Sequence, residues 1–181
     1  MEYGDHFTAV HQSQVTQLAC EMAKEMNLPA EQITGIRIGG ILHDIGKIHL
    51  LPEILLNLHP LNEVETTMIQ SHPQFGYDIL SEIEFPWPVK QIVLQHHERM
   101  DGSGYPKGLT GEKIILEARI IAVADVMEAM VSERPYRPGL GLDKAREEIS
   151  KNKVVLYEPE AVDVCLKLFD KKWFRFTTVT V

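Results

Sequence analysis

Apolar residues recur along this chain at helical intervals almost from end to end. Val10, Val15, Leu18, Ala19, Met22, Ala23 and Met26 fall three, four or five residues apart, the spacing of one face of an amphipathic helix. Asn27-Leu28-Pro29 ends that helix, and Pro29 opens a second one, at a position where its missing N–H costs nothing. The second helix runs through Ile33, Ile36, Ile38, Ile41 and Leu42 into His43-Asp44. Shorter helical patterns cover 53–57, 63–71, 73–83 and, after the break Phe85-Pro86-Trp87-Pro88, 87–97. With four glycines and one proline, 101–111 reads as a loop. The segment 114–131 is apolar nearly throughout, which predicts a helix buried on most of its circumference. Helices follow over 142–150 and 159–169, and 174–181 alternates like a short strand. There is no repeat and no linker, so the pattern predicts one all-α domain over 1–181.

Composition narrows the partners. Hydrophobic residues at 44% and charged residues at 24% are those of a globular protein. No run approaches the roughly 18 apolar residues of a membrane helix, and Met1-Glu2-Tyr3-Gly4-Asp5 has neither a basic nor an apolar leader region. The formal charge of −8 argues against long nucleic acid, whose phosphates are met by Lys and Arg. A small phosphate ligand remains open if cations supply the positive charge. Cys20 and Cys165 lie in helical apolar patterns and are expected to be reduced core residues of a cytoplasmic protein.

Histidines and aspartates then stand out. Asp44 follows the apolar run 38–42, and Asp125 lies inside Ile120-Ile121-Ala122-Val123-Ala124-Asp125-Val126. A carboxylate in such surroundings needs a hydrogen bond, a cationic partner or a metal. His72 alone could be an ordinary helix-start residue, and His96-His97 alone a surface pair whose rings point about 100° apart on a helix. Taken together, His11, His43, Asp44, His72, His96, His97 and Asp125 lie on several predicted helices. Gathered inward, they offer only nitrogen and carboxylate donors. That set suits iron, manganese, zinc or nickel better than calcium or a thiolate zinc site. An aspartate able to bridge two cations suggests a hydrolytic centre of the kind in which two ions about 4 Å apart activate water at a phosphorus.

The motifs His43-Asp44-Ile45-Gly46-Lys47, His72-Pro73, His96-His97-Glu98, Asp101-Gly102-Ser103-Gly104-Tyr105-Pro106, Asp125 and Arg134-Pro135-Tyr136-Arg137 resemble those of the HD-GYP family, a branch of the HD superfamily of metal-dependent phosphohydrolases. The likeness runs from about residue 5 to 169, leaving 170–181 as a tail. It implies an HD-type helical domain with a metal centre in the bundle core. The activity it implies is hydrolysis of the bacterial second messenger cyclic di-GMP to linear pGpG and, in some members, onward to GMP. By the same resemblance His43, Asp44, His72, His96, His97 and Asp125 would hold two divalent ions, iron or manganese first and zinc, nickel or cobalt as alternatives. Asp44 would bridge them and Lys47 would stand beside the scissile phosphate. Tyr105 would contact the ligand, and Arg134 and Arg137 would hold its phosphates.

His11 matches the histidine of a three-metal subset that also uses a Glu one turn earlier. Here that residue is Phe7, so two metals are expected, with His11 lining the site. Glu98 and Asp101 are candidates to orient the histidines or shape the loop. His6, His49 and His59 match nothing and are expected to be exposed. Val154 stands where relatives commonly have glycine. The resemblance further implies signal transduction, a homodimer, and an upstream sensory or receiver domain or a diguanylate cyclase partner. Two other readings stay open: an HD-type nucleotidase acting on another nucleotide, and a catalytically silent module that binds cyclic di-GMP or a protein.

Overall fold

A computed structural model describes residues 2–55, 60–132 and 139–176, with side chains from residue 8 onward. Helices α1 (Glu2–Glu25), α2 (Ala30–Leu42), α3 (Pro52–Leu55), α4 (Glu63–Gln70), α5 (His72–Ile79), α6 (Val89–Gln95), α7 (Leu116–Val131), α8 (Leu142–Lys151) and α9 (Pro159–Asp170) carry the chain. A 3-10 turn over Ile45–His49 follows α2, and another over Gly111–Lys113 precedes α7. Among the described residues there is no strand, only the isolated bridges Asp101 to Thr110 and Lys153 to Tyr157. The all-α expectation holds.

Local chemistry sets the ends of these helices. Asn27 stops α1 in the left-handed region at φ 55°. The Leu28 N–H then reaches back to the Ala23 carbonyl at 3.1 Å, a cap that Asn tolerates because its short polar side chain eases that conformation. Pro29 flanks the start of α2, and Asn62 and Glu65 make a reciprocal capping box at the start of α4. The helix expected over 73–83 is shorter, since His72 is its first residue and Ile79 its last.

The α1 helix packs on α2, α7 and α9, α7 on α6, α8 and α9, and α5 on α6 and the turn after α2. The main core joins Leu18 and Met22 of α1 with Ile120, Ile121 and Met127 of α7, Ile149 of α8 and Leu168 of α9. A smaller one gathers Leu80, Val89 and Val93 under Leu42 and Trp87. Cys20 and Cys165 are buried and unpaired, as expected. Residues 174–176 do not begin a strand. Phe174 and Phe176 instead ring Phe169 at centroid distances of 5.6 Å each, because aromatic area buried on α9 outweighs an edge strand with no sheet to join. The rest of that segment, 177–181, lies outside the described residues.

Candidate metal centre

The chain reverses just after α2, and the reversal is held by close backbone packing. His43 is the last residue in helical conformation, and Asp44 leads into the 3-10 turn at φ −99°. A Cβ at Gly46 would stand 2.0 Å from the His72 carbonyl oxygen and 2.5 Å from the Gly76 nitrogen. Only glycine permits that approach, and it brings Asp44 beside the first turn of α5. His96 caps the end of α6, and Asp125 faces inward from the middle of α7. Four helices and the reversal after α2 thus meet at one buried polar cluster.

Three imidazoles in it share one arrangement. His43 Nδ1 donates to the Gly40 carbonyl at 2.7 Å, His72 Nδ1 to Ile69 at 2.6 Å and His96 Nδ1 to Val93 at 2.8 Å, each three residues back. A carbonyl only accepts, so Nδ1 is the protonated, donating nitrogen in each ring and Nε2 is the atom turned toward the cluster. Those Nε2 atoms point into the same space. His72 Nε2 lies 3.3 Å from His96 Nε2 and 3.2 Å from Asp44 Oδ1. The ring of His97 lies 4.1 Å from that of His96, so the adjacent pair turns toward one centre and does not flank it from opposite sides. Two groups of donor atoms result, each within 4.8 Å of one another: Asp44, His72, His96 and His97, and His11, His43 and Asp125. His43 Nε2 and Asp44 Oδ1 are buried without a hydrogen-bond partner. Imidazole nitrogens and carboxylate oxygens gathered this closely, two of them buried without a hydrogen-bond partner, form a donor set that fits a divalent metal.

The charges agree with this. Burial pushes the His43, His96 and His97 imidazoles down, His97 to about 3, so all three are neutral at pH 7. Burial opposes ionisation of Asp44 and Asp125 too. Lys47 and the neighbouring histidines overcome it at Asp44, and His11 does so at Asp125, so both stay well below the usual carboxylate range. His11 differs. Burial disfavours its charge, yet hydrogen bonds to Asp125 and Glu128 raise it to about 9.

Residues around the cluster divide by what they touch. Lys47 Nζ is 2.5 Å from Asp44 Oδ2. Tyr105 stacks on His97 at 4.7 Å, and burial pushes its phenol up. Its loop is pinned by Glu98, which is buried and accepts from the N–H groups of Lys107 at 2.7 Å and Leu109 at 2.9 Å. A Cβ at Gly104 would stand 2.4 Å from Arg99 N and 2.5 Å from His97 O, so the loop lies directly on the His96-His97-Glu98 backbone. Glu98 therefore shapes the loop and does not orient a histidine. Asp101 is exposed and accepts from Ser103 N at 2.9 Å and Ser103 Oγ at 2.7 Å. His49 is exposed against Phe75. Arg134, Arg137 and His59 lie outside the described residues, as do the side chains of His6 and Phe7. Sequence reading missed Glu128, a buried carboxylate one helical turn past Asp125 that contacts His11. Its signal was there: an acid one turn beyond Asp125 in the apolar stretch of α7.

The HD domain family model matches residues 4–161. The chain belongs to the HD-domain family. Hydrolases of this family bind divalent metals. Over 169 residues this HD domain is 39% identical to the cyclic di-GMP phosphodiesterase response regulator RpfG of Xanthomonas campestris, covering 92% of this chain and 45% of that protein. It is 41% identical over 169 residues to a cyclic di-GMP phosphodiesterase of Thermotoga maritima, covering 92% and 46%. The HD domain thus spans about half the length of the curated relatives it matches. Its fold is that of Bd1817, an HDG"Y"P protein from Bdellovibrio bacteriovorus, with a TM-score of 0.77 at 20% identity over 94% of this chain and 55% of that one. The HD-GYP likeness of the motifs agrees with these relatives. No helix among the described residues of this HD domain is long and apolar enough to cross a membrane.

Proposed function

We propose that this HD domain is a metal-dependent phosphodiesterase that opens cyclic di-GMP to linear pGpG, using two divalent cations, iron or manganese, held by His43, Asp44, His72, His96, His97 and Asp125. The observation that carries this reading is the shared setting of three buried histidines, whose Nδ1 atoms are held by main-chain carbonyls and whose Nε2 atoms face the space between two ionised aspartates. Cations bound there supply an acidic water and neutralise charge on a phosphorus under attack. The chain's own residues do the rest. Asp44 lies between the two donor groups, with Oδ1 toward His72 and Oδ2 toward His11 and His43, which suits it to bridge two cations. Lys47 offers a half-buried ammonium beside it to a phosphate oxygen. Tyr105, still protonated at neutral pH, offers a hydroxyl donor from the rim, and Arg134 and Arg137 add guanidinium groups suited to phosphate. A chain of net charge −8 that binds an anionic dinucleotide needs such a concentrated cationic centre.

The test is hydrolysis of cyclic di-GMP by protein purified with reduced iron or manganese, with metal counted on the same sample. About two metals per chain are expected, and Asp44→Ala should abolish turnover and strip metal. A variant that keeps both overturns the reading, as does a loaded parent that leaves cyclic di-GMP intact.

A further inference from the structure

His11 is assigned no more than a lining role by its sequence, and Glu128 lies in no motif, yet the two are joined. His11 Nδ1 is in short contact with Glu128 Oε2. From the same ring, Nε2 lies 3.1 Å from Asp125 Oδ1 and 3.8 Å from Asp44 Oδ2. Glu128 is 2% exposed, and its other oxygen accepts from Ser132 Oγ at 2.6 Å. Asp125 and Glu128 are three apart on α7 and so share one side of it. The helix thereby supplies one carboxylate to the centre and another behind the histidine.

A carboxylate only accepts, so Nδ1 donates to Glu128, while Nε2, which without metal donates to Asp125, is the atom presented to the centre and gives up its proton when a cation binds there. That nitrogen joins His43 Nε2 and an Asp125 oxygen in one of the two donor groups, and the rings of His11 and His43 lie 5.5 Å apart. The other group has His72, His96, His97 and Asp44. Without His11 the first group would hold one nitrogen and Asp125, too few protein donors to hold a cation unless Asp44 alone completes the set. Metal-bound histidines commonly donate their second N–H to a carboxylate, which fixes the ring and raises its basicity.

We propose that Glu128 is a positioning residue: it holds His11 so that Nε2 completes, with His43 and Asp125, the ligand set of the second cation. The acidic support that Phe7 cannot give thus comes from α7. This rests on the metal-centre reading above, and the experiment separates the two.

Chelator-stripped full chain is titrated with Mn²⁺ by calorimetry, and the bound ion is followed by electron paramagnetic resonance. The parent should show two binding steps. Glu128→Ala should weaken one step by about 10- to 100-fold, with the other unchanged. Glu128→Gln, which keeps an acceptor oxygen for Nδ1, should recover most of that loss, and His11→Gln should weaken the same step. Thermal melts without metal check folding. Two parent-like steps in Glu128→Ala overturn this proposal alone. A parent that takes up no Mn²⁺ overturns this and the metal-centre reading together. Should Glu128→Ala fail to fold, His11→Gln decides: an unchanged titration overturns the assignment.

Discussion

The two ends of the buried cluster solve one problem by different means. At the end formed by Asp44, His72, His96 and His97, two imidazoles are set by main-chain carbonyls three residues back, His96 by Val93 of α6 and His72 by Ile69 near the end of α4. At the other end His43 is held in that way, but His11 is set by a side chain from another helix, Glu128. The carbonyl clamp comes with the main chain just before the ring. It survives any substitution that leaves the backbone in place, whereas the carboxylate clamp can be removed by one codon. The first end is therefore vulnerable through backbone packing and the second through side-chain chemistry.

Gly46 is where the first end should break most severely. A methyl group there must displace the His72 carbonyl or the turn that holds Asp44, since the added Cβ would sit 2.0 Å from that oxygen. Gly46→Ala should cost at least about 3 kcal/mol, beyond the usual overpacking penalty because the obstacle is backbone. Urea unfolding measures it, and a loss under about 1 kcal/mol would mean the turn yields freely. Next in size is Glu98→Ala, which frees the Lys107 and Leu109 N–H groups and loosens the Tyr105 loop. Two hydrogen bonds to a charged acceptor are lost, but the freed groups can reach water, so about 2 kcal/mol is expected. Calorimetry with cyclic di-GMP should show weaker binding as Tyr105 loses its place on His97; affinity equal to the parent's would remove the loop from recognition.

A smaller effect distinguishes the ends by pH in metal-stripped protein. His97 is held near 3 against an ordinary 6.5. The unfolded chain therefore takes up a proton there that the folded one refuses, and stability falls as pH drops below about 6.5. His43 and His96 act in the same direction, and Asp44 and Asp125 add their loss lower, through the carboxylate range. His11, raised to about 9, works oppositely. Its contribution is full below about 6.5 and fades as pH rises through about 9. Melting temperature in chelator should thus peak near neutrality. His11→Ala should flatten the alkaline limb and leave the acid limb; an alkaline limb that persists would detach it from His11.

Much of this was legible in the chain. Helical periodicity marked α1, α2, α7 and α9 because each buries a stripe whose spacing the packing preserves. Asp44 and Asp125 announced themselves as charges in apolar runs, and the histidines as a set of nitrogen donors spread over several helices. What stayed hidden depended on distance across the fold. Nothing local says that His11 and Glu128, 117 residues apart, are hydrogen-bonded. Nor does the sequence show that Glu98 turns to the loop's N–H groups and away from the histidines beside it. The tail misled for a related reason: alternation in 174–181 reads as a strand, yet Phe174 and Phe176 alternate because both reach Phe169.

The turn at Val154 tests the comparison from outside, since it touches neither end. Val154 adopts φ 75° and is 66% exposed. A β-branched side chain in the left-handed region is strained by about 1–3 kcal/mol, and its exposure means little burial offsets that cost. The turn holds nonetheless, because the Val154 N–H reaches the Tyr157 carbonyl at 3.1 Å and Tyr157 is anchored in the core. Glycine would relieve the strain and give back about 0.5–1 kcal/mol through the greater freedom of the unfolded chain. The balance favours Val154→Gly by about 1 kcal/mol, which urea unfolding should register as a higher midpoint at unchanged slope. Mn²⁺ uptake and turnover should not move. A lowered midpoint would mean that the valine makes contacts worth more than its strain, and altered metal uptake would mean that this turn, through the Met100 N–H that donates to the Leu156 carbonyl at 3.1 Å, reaches the loop that covers His97.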